Sequence, residues 1–271
     1  MYEDHRFLER DGERLFAIHH RPVSPANRAV VICHPLAEEK LWSHRVLVSL
    51  ARELASAGFA VLRFDYRGEG DSDRRFEDAD FESRITDTVF AVEALHELEP
   101  AATDLTLLGL RLGASVAAAA ACRRSDIRRL ILWDPVADGS AYMQQFLRLN
   151  LMAQMAAHRR VVEDREALAE RIRSGGSISI EGYALNGPLF EQVSAFRLAD
   201  ALAAFQGDTL LVQIDAADGP LKPELATLAD AHPRCHAVQV REEPFWKEIR
   251  SFCQRAPELS RVSLEALGVS R

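Results

Sequence analysis

The chain has 271 residues, 48% of them hydrophobic and 27% charged, with 33 basic against 41 acidic side chains for a formal charge of −8. That length fits one large α/β domain or two small ones, and that apolar content excludes disorder for most of the chain. A nucleic-acid binder would carry a basic excess, and this chain has the reverse. No apolar run approaches a membrane span, and the acidic start MYEDHRFLER is unlike a secretory signal. Four scattered cysteines form no CxxC pair. Cys33, Cys122 and Cys235 stand in or beside apolar runs and are expected as reduced core residues of a cytoplasmic protein.

The elements alternate. RLFAIHH (14–20) has β character, and a turn with two prolines follows. AVVICHP (29–35) begins as a continuous apolar run, as in a strand buried on both faces. Ser43 opens a predicted helix over 44–56, and Gly58 stops it. AVLRFD (60–65) is the next strand, and YRGEGDSD (66–73) a glycine-rich turn. A helix is predicted over 80–98. DLTLLGL (104–110) is a buried strand, RLGASVAAAAACR (111–123) a helix directly after it, and RLILWDP (129–135) a further strand. This rhythm predicts a mostly parallel, doubly wound sheet.

The pattern changes at 136–205, which is read as two helices followed by a loop or short hairpin. The α/β rhythm then resumes with strand DTLLVQID (208–215), helix PELATLADA, strand HAVQV and a last helix from about 245. The domain expectation is therefore one core, 1–135 with 206–271, and a cap insertion at 136–205 covering the carboxyl edge of the sheet. Its stripe of Tyr142, Met143, Phe146, Leu147, Leu149, Leu151, Met152 and Met155 is expected mainly to pack on the core. Lining an acyl pocket or a dimer surface is the alternative.

The sharpest motif is LTLLGLRLGASVA. A strand, Gly109, three residues, Gly113 and a helix of small residues form the setting of a nucleophile elbow. The two glycines allow a turn too tight for Cβ atoms, and the middle residue is strained and projects from the sheet edge. That middle residue is Arg111.

The chain resembles the α/β-hydrolase superfamily over about 14–255. HPLAEEKLWSHR is similar to the oxyanion-loop segment, FDYRGEGDSD to the following turn and GLRLG to the elbow. AEEK…SHR, GLRLGAS and WDPVADGSAYM together resemble a bacterial subgroup of exosortase-A-system-associated hydrolases, near the serine-aminopeptidase-like proteins. The resemblance implies an α/β-hydrolase fold with a helical cap. It places Arg111 at the nucleophile position, Asp218 at the acid position and Pro244 at the histidine position. A guanidinium is no nucleophile and proline moves no proton, so the resemblance supports the fold and undercuts Ser–His–Asp chemistry.

Rescue residues are few. Ser115 lies a full turn into the helix, where its hydroxyl is expected to bond back to the helix. His34 opens the oxyanion loop as a base or as a backbone-orienting side chain. His232, Cys235 and His236 share no helical face and lack further ligands, so no metal and no other cofactor is implied. No phosphate loop or dinucleotide fingerprint is present.

Arg111, Asp134, Asp218 and the following helix start converge on the carboxyl edge, where open α/β sheets bind ligands. In one reading Arg111 pairs with Asp134 or Asp218 and plugs the site. In the other it joins Leu36, Leu112 and Asp134 in an anion receptor at a helix N-terminus. The pairs Glu38–Glu39 and Glu242–Glu243 are solvated loop charge, or Glu39 or Glu243 closes a network with Arg45, Arg67 or Arg111.

Two function classes follow. The favoured one is a catalytically degenerate hydrolase acting as a binding or scaffold protein for a small anionic or acyl ligand or a protein partner, with a homodimer also open. The other is an active ester, thioester or amide hydrolase or acyl transferase using an atypical residue.

Overall fold

The computed structural model describes residues 1–247 and 253–269. Its framework is an eight-stranded sheet: β1 (Tyr2–Arg10), β2 (Glu13–Arg21), β3 (Arg28–Cys33), β4 (Ala60–Phe64), β5 (Asp104–Leu110), β6 (Ile127–Trp133), β9 (Asp208–Asp215) and β10 (Cys235–Arg241). The order across the sheet is β1-β2-β4-β3-β5-β6-β9-β10. From β4 to β10 all neighbours are parallel, and β1 and β2 join antiparallel at one edge. The expected doubly wound α/β architecture is what the chain adopts.

The parallel strands are buried on both faces because helices cover both. β5 alone buries Leu105, Leu107, Leu108 and Leu110. Leu105 and Leu107 pack with α2 (Phe81–Leu98) and α3 (Leu112–Ala121), while Leu108 and Leu110 pack with α1 (Glu38–Ser56) and α9 (Pro257–Ala266). Such two-sided burial explains the unbroken apolar runs of the central strands.

Three expectations change. β1 carries the polar segment YEDHRFLER yet pairs with β2 along its whole length, burying only Leu8. An edge strand with solvent on most of its surface needs no apolar alternation. Helix α1 begins at Glu38, not after Ser43. Glu38 and Glu39 occupy its first turn, where carboxylates favour the helix dipole. The last helix begins at Pro257, after a buried turn at Phe245 and Trp246. The rest of the stretch expected to be helical from 245 lies partly at 248–252, outside the described residues.

Between β6 and β9 lie α4 (Gly139–His158), α5 (Arg165–Arg173), the hairpin β7 (Ile178–Ile180)–β8 (Tyr183–Leu185), α6 (Gly187–Ala195) and α7 (Leu198–Ala204). The path out and the path back meet at a clasp. Asp138 bridges Arg197, Gly139 N donates to Phe196 O (3.1 Å) and Leu198 N to Ala137 O (3.0 Å). A side chain at Gly139 would collide with the Val193 carbonyl, so only glycine fits there. Tyr142, Met143, Phe146 and Leu147 of α4 are buried, but Met152 and Met155 are exposed, contrary to the expected packing. The distal half of α4 runs past the core. Cys122 also departs from expectation: it ends α3 at an exposed position, while Cys33 and Cys235 are buried. Among the described residues no helix is long and apolar enough to cross a membrane.

The sheet changes winding direction at β3, whose neighbours are β4 and β5. The connections after β3 and β5 therefore run to opposite faces and leave a crevice at their carboxyl ends.

Candidate active site

The two strand ends that border this crevice are built alike. Arg111, between β5 and α3, has φ 55 and ψ −123, and Ala37, just before α1, has φ 54 and ψ −131. Non-glycine residues seldom hold such angles, and strain of this kind concentrates at functional sites. Glycines permit the tightness around Arg111. A Cβ on Gly109 would strike the Gly113 carbonyl, and one on Gly113 would strike the carbonyls of Cys33 and His34. The elbow geometry expected from GLRLG is thus present, with an arginine at its apex.

The guanidinium is held from several sides. Nε donates to Glu39 Oε1 (3.2 Å), and Nη1 donates to Asp134 Oδ2 (2.9 Å) and to the Asp134 carbonyl (3.0 Å). Its carbon stands 5.5 Å from the Tyr142 ring centre and 5.4 Å from that of Trp246. Tyr142 Oη donates to Glu39 Oε2 (2.8 Å), and Lys222 Nζ donates to Asp134 Oδ1 (2.8 Å). Burial opposes the charge on Arg111, but Glu39 and Asp134 outweigh it and keep the group protonated. Burial pushes the Glu39 carboxyl above its usual range, against the pull of Arg111 and Tyr142. Two carboxylates and two cations therefore share the centre of the site.

Of the two acids expected near Arg111, the structure brings only Asp134. Asp218 is 83% exposed and faces Arg241 at 3.5 Å. The β9–α8 connection (α8 is Pro223–Ala231) turns the other way because Gln213 pins it. Gln213 accepts from Lys222 N (2.6 Å) and donates to the Pro220 carbonyl (3.3 Å), which sends Lys222 rather than Asp218 to Asp134. Glu39, offered by the sequence as one partner among several, is the one that reaches Arg111. Lys222 was not singled out by sequence. Its only sequence cue is its place in the loop after β9.

The other expected residues fall elsewhere. Ser115 is fully buried on α3, and its hydroxyl donates to the Val136 carbonyl (3.1 Å) across the β6 end instead of back to its own helix. Pro244 begins the turn that seats Phe245 and Trp246, so an indole ring approaches Arg111 from that side. Leu36 lines the crevice, while Leu112 is buried in the core at the start of α3. His34 belongs to a second cluster. Its Nδ1 donates to the Pro35 carbonyl (2.9 Å), its Nε2 is 3.6 Å from Glu69, and its ring meets Tyr66 edge-on. Burial, reinforced by Lys40, lowers its pKa to about 4, so it is neutral near pH 7. Burial pushes the Cys33 thiol up to about 12, which removes it as a nucleophile near neutral pH. His232 and His236 flank Cys235 at the start of β10, and no group of three or more metal-ligating side chains occurs among the described residues.

Above Arg111 opens a pocket of about 520 Å³, bounded by α1, α4 and the Trp246 turn. Leu36, Trp42, Phe146, Leu149 and Trp246 supply apolar wall, with Arg111 and Glu39 within and Arg148 and Lys247 on the rim side exposed to solvent. The volume lies within the range of small-molecule sites, and the mix of aromatic wall and few polar groups is typical of them.

Comparison with known proteins agrees with this architecture. The family model described as serine aminopeptidase, S33, a hydrolase family, matches residues 24–199. Est1E from Butyrivibrio proteoclasticus, solved with ferulic acid bound, superposes with a TM-score of 0.67 at 19% identity, covering 97% of this chain and 100% of that one. The esterase domain of a Rhodothermus marinus protein gives 0.65 at 20% identity over 99% and 97%. DcsB, solved with a substrate analogue, gives 0.67 at 15% identity over 98% of both chains. An uncharacterized protein of Rickettsia prowazekii is 29% identical over 102 residues, 38% of this chain and 42% of that protein's length. The structural likenesses show the fold.

Proposed function

The chain belongs to the serine aminopeptidase S33 family of α/β-hydrolase-fold proteins, and from that premise we propose that this member holds a small acyl-type ligand without cleaving it. The observation that carries the reading is the guanidinium at the elbow, gripped by Glu39 and Asp134. Acyl transfer needs a nucleophile with an adjacent base. Arginine supplies neither, and the last histidine of the chain is His236, before the connection after β10 where the family's base is expected.

The pocket supports a ligand with an apolar body and one polar end. Trp42, Phe146 and Trp246 offer flat surface for an acyl or aromatic group. Arg111 is already neutralised by two carboxylates, so an anionic end is better served by Arg148 and Lys247 at the rim. Arg111 then acts as a strut: it fixes α1, β6 and the Trp246 turn around the cavity.

The test joins two measurements. Intact-mass analysis after a fluorophosphonate probe, beside a p-nitrophenyl ester assay, should give neither adduct nor turnover. Titration with fatty acids of increasing length should change tryptophan emission, because two of the three tryptophans line the pocket. The Arg111→Ser variant should stay silent toward the probe, since no imidazole is placed beside the new hydroxyl and His34 is engaged with Pro35, Glu69 and Tyr66. A single adduct with turnover in the parent protein would overturn the binding reading in favour of an active ester hydrolase.

A further inference from the structure

β4 holds a charge among apolar neighbours. Arg63 stands in the run AVLRF between Leu62 and Phe64, both buried, and the strand has partners on either side. A charge so placed needs compensation. Arg63 makes one hydrogen bond, from Nε to His20 Nε2 (3.0 Å), and no ion pair among the described residues. Burial lowers its pKa to about 10, against the pull of Glu3 and Asp65, so the group is charged near pH 7. The nearby acids are taken. Glu3 accepts two hydrogen bonds from Arg52 (2.6 and 3.2 Å), Asp65 binds Lys40 (2.6 Å), and Glu69 is shared by Arg84 and Lys40. Arg52, Lys40, Arg84 and Arg63 thus face Glu3, Asp65 and Glu69, and Arg63 is the cation left over.

This cation lines a cavity of about 70 Å³ between α1 and strands β2, β3 and β4. Lys40, His44 and Leu47 reach it from one stripe of α1. Glu38 and Trp42, which line the Arg111 pocket, stand on the opposite side, so the helix separates the two spaces. The lining is of two kinds. Ile32, Leu47 and Phe64 supply apolar wall, while Arg63, Lys40 and His44 gather around Asp65, which Lys40 already holds. At the ~10–15 Å³ that one water centre needs, the space takes roughly five non-hydrogen atoms.

We propose that this cavity is a binding site for a short-chain monocarboxylate of acetate or propionate size. The carboxylate takes the terminal nitrogens of Arg63, which no protein group among the described residues occupies, and His44 stands at the rim. The alkyl end lies against Ile32, Leu47 and Phe64. One negative charge balances the one unmatched cation, a dianion would overshoot it, and a longer chain would exceed the space. A halide would answer the charge but leave the apolar wall bare. The site is independent of what the Arg111 pocket holds.

The experiment is titration of the isotope-labelled full chain with sodium acetate, propionate, hexanoate or chloride at constant ionic strength, followed by amide NMR shifts. Acetate and propionate should give saturable shifts clustered at Ile32, His44, Arg63 and Asp65. The Kd should lie in the millimolar range, because so small a ligand makes few contacts. Hexanoate and chloride should bind roughly tenfold more weakly or less. Arg63→Gln should abolish binding, but it also removes the bond to His20. His44→Glu is therefore the second variant. The position is exposed, so its melting temperature should match the parent, and the new carboxylate at the rim should weaken acetate roughly tenfold. Absence of acetate shifts in the parent, or equal acetate binding by His44→Glu, overturns the proposal. So does chloride binding as tightly as acetate at the same amides, which would make this a halide site. Acetate shifts confined to Trp42, Arg111 and Trp246 overturn it as well, because the carboxylate would then belong to the Arg111 pocket.

Discussion

Arg111 and Arg84 are both buried arginines, and their surroundings differ in a telling way. Arg111 gives hydrogen bonds to two residues on two elements, and each of its carboxylate partners has another donor, Tyr142 or Lys222. Arg84, on α2, has one hydrogen bond, to Glu69 Oε1 at 2.5 Å, and lies over Tyr66 and Phe76. Its Nε and Nη2 find no hydrogen-bond partner among the described residues, and His34 beside it reaches Glu69 only at 3.6 Å. Arg111 sits in a shared network that survives the loss of a member. Arg84 depends on a single carboxylate. A buried charge is costly mainly when it loses its last partner, so redundancy of partners, more than burial, sets what each cluster can tolerate.

A matched pair of substitutions should expose that asymmetry. Glu69→Met leaves Arg84 buried with no carboxylate and should cost about 3–5 kcal/mol in urea unfolding. Glu39→Met leaves Arg111 its two bonds to Asp134 and should cost about 1–2 kcal/mol. Equal losses would remove the distinction.

Acid should separate the clusters next. Burial raises Glu69, but Arg84, His34 and Lys40 overcome it and hold the carboxyl at about 2. Its stabilisation is present above pH 4.5 and lost as pH falls toward 2. His34 is depressed from 6.5 to about 4, so the unfolded chain takes up its proton first. Stability should therefore fall between pH 6.5 and 4, by at most on the order of 3 kcal/mol for this residue. Glu39 acts with the opposite sign: its raised pKa favours the fold as pH drops through that of the folded state. Chemical melts of the parent and of His34→Gln across this range should show a flatter acid limb in the variant. An unchanged limb would mean that His34 is already protonated in the fold.

The smallest effect is expected at Asp218. Exposed and, among the described residues, paired with an exposed arginine alone, it should tolerate Asp218→Ala within about 0.5 kcal/mol, with unchanged ligand titration. A larger loss would bring the β9–α8 loop back into the site.

Much of this could be read from residue order, and the misses have physical causes. The parallel strands announced themselves because burial on both faces demands continuous apolar runs. β1 did not, because an edge strand can be almost wholly polar. The elbow was legible from Gly109 and Gly113, whose spacing is dictated by close backbone contact. Asp134 was one of the two acids that topology offered Arg111, and the structure takes it because β5 and β6 are neighbours. The place of Asp218 was not legible, because a loop of Asp, Ala and Gly carries no signal for direction; Gln213, three residues before β9 is fully left behind, sets it. Tyr142 was read as part of an apolar stripe, and its hydroxyl became relevant only once α4 lay against Glu39.

The clasp between Asp138 and Arg197 bears on how the chain assembles. β9 cannot join β6 until the whole intervening segment has brought its ends together, and closing a long loop is entropically slow. Once the clasp forms, the segment behaves as a short link, because its entry and exit are already side by side. The helices between β6 and β9 are thereby expected to compact early, and the β9–β10 edge of the sheet to add late.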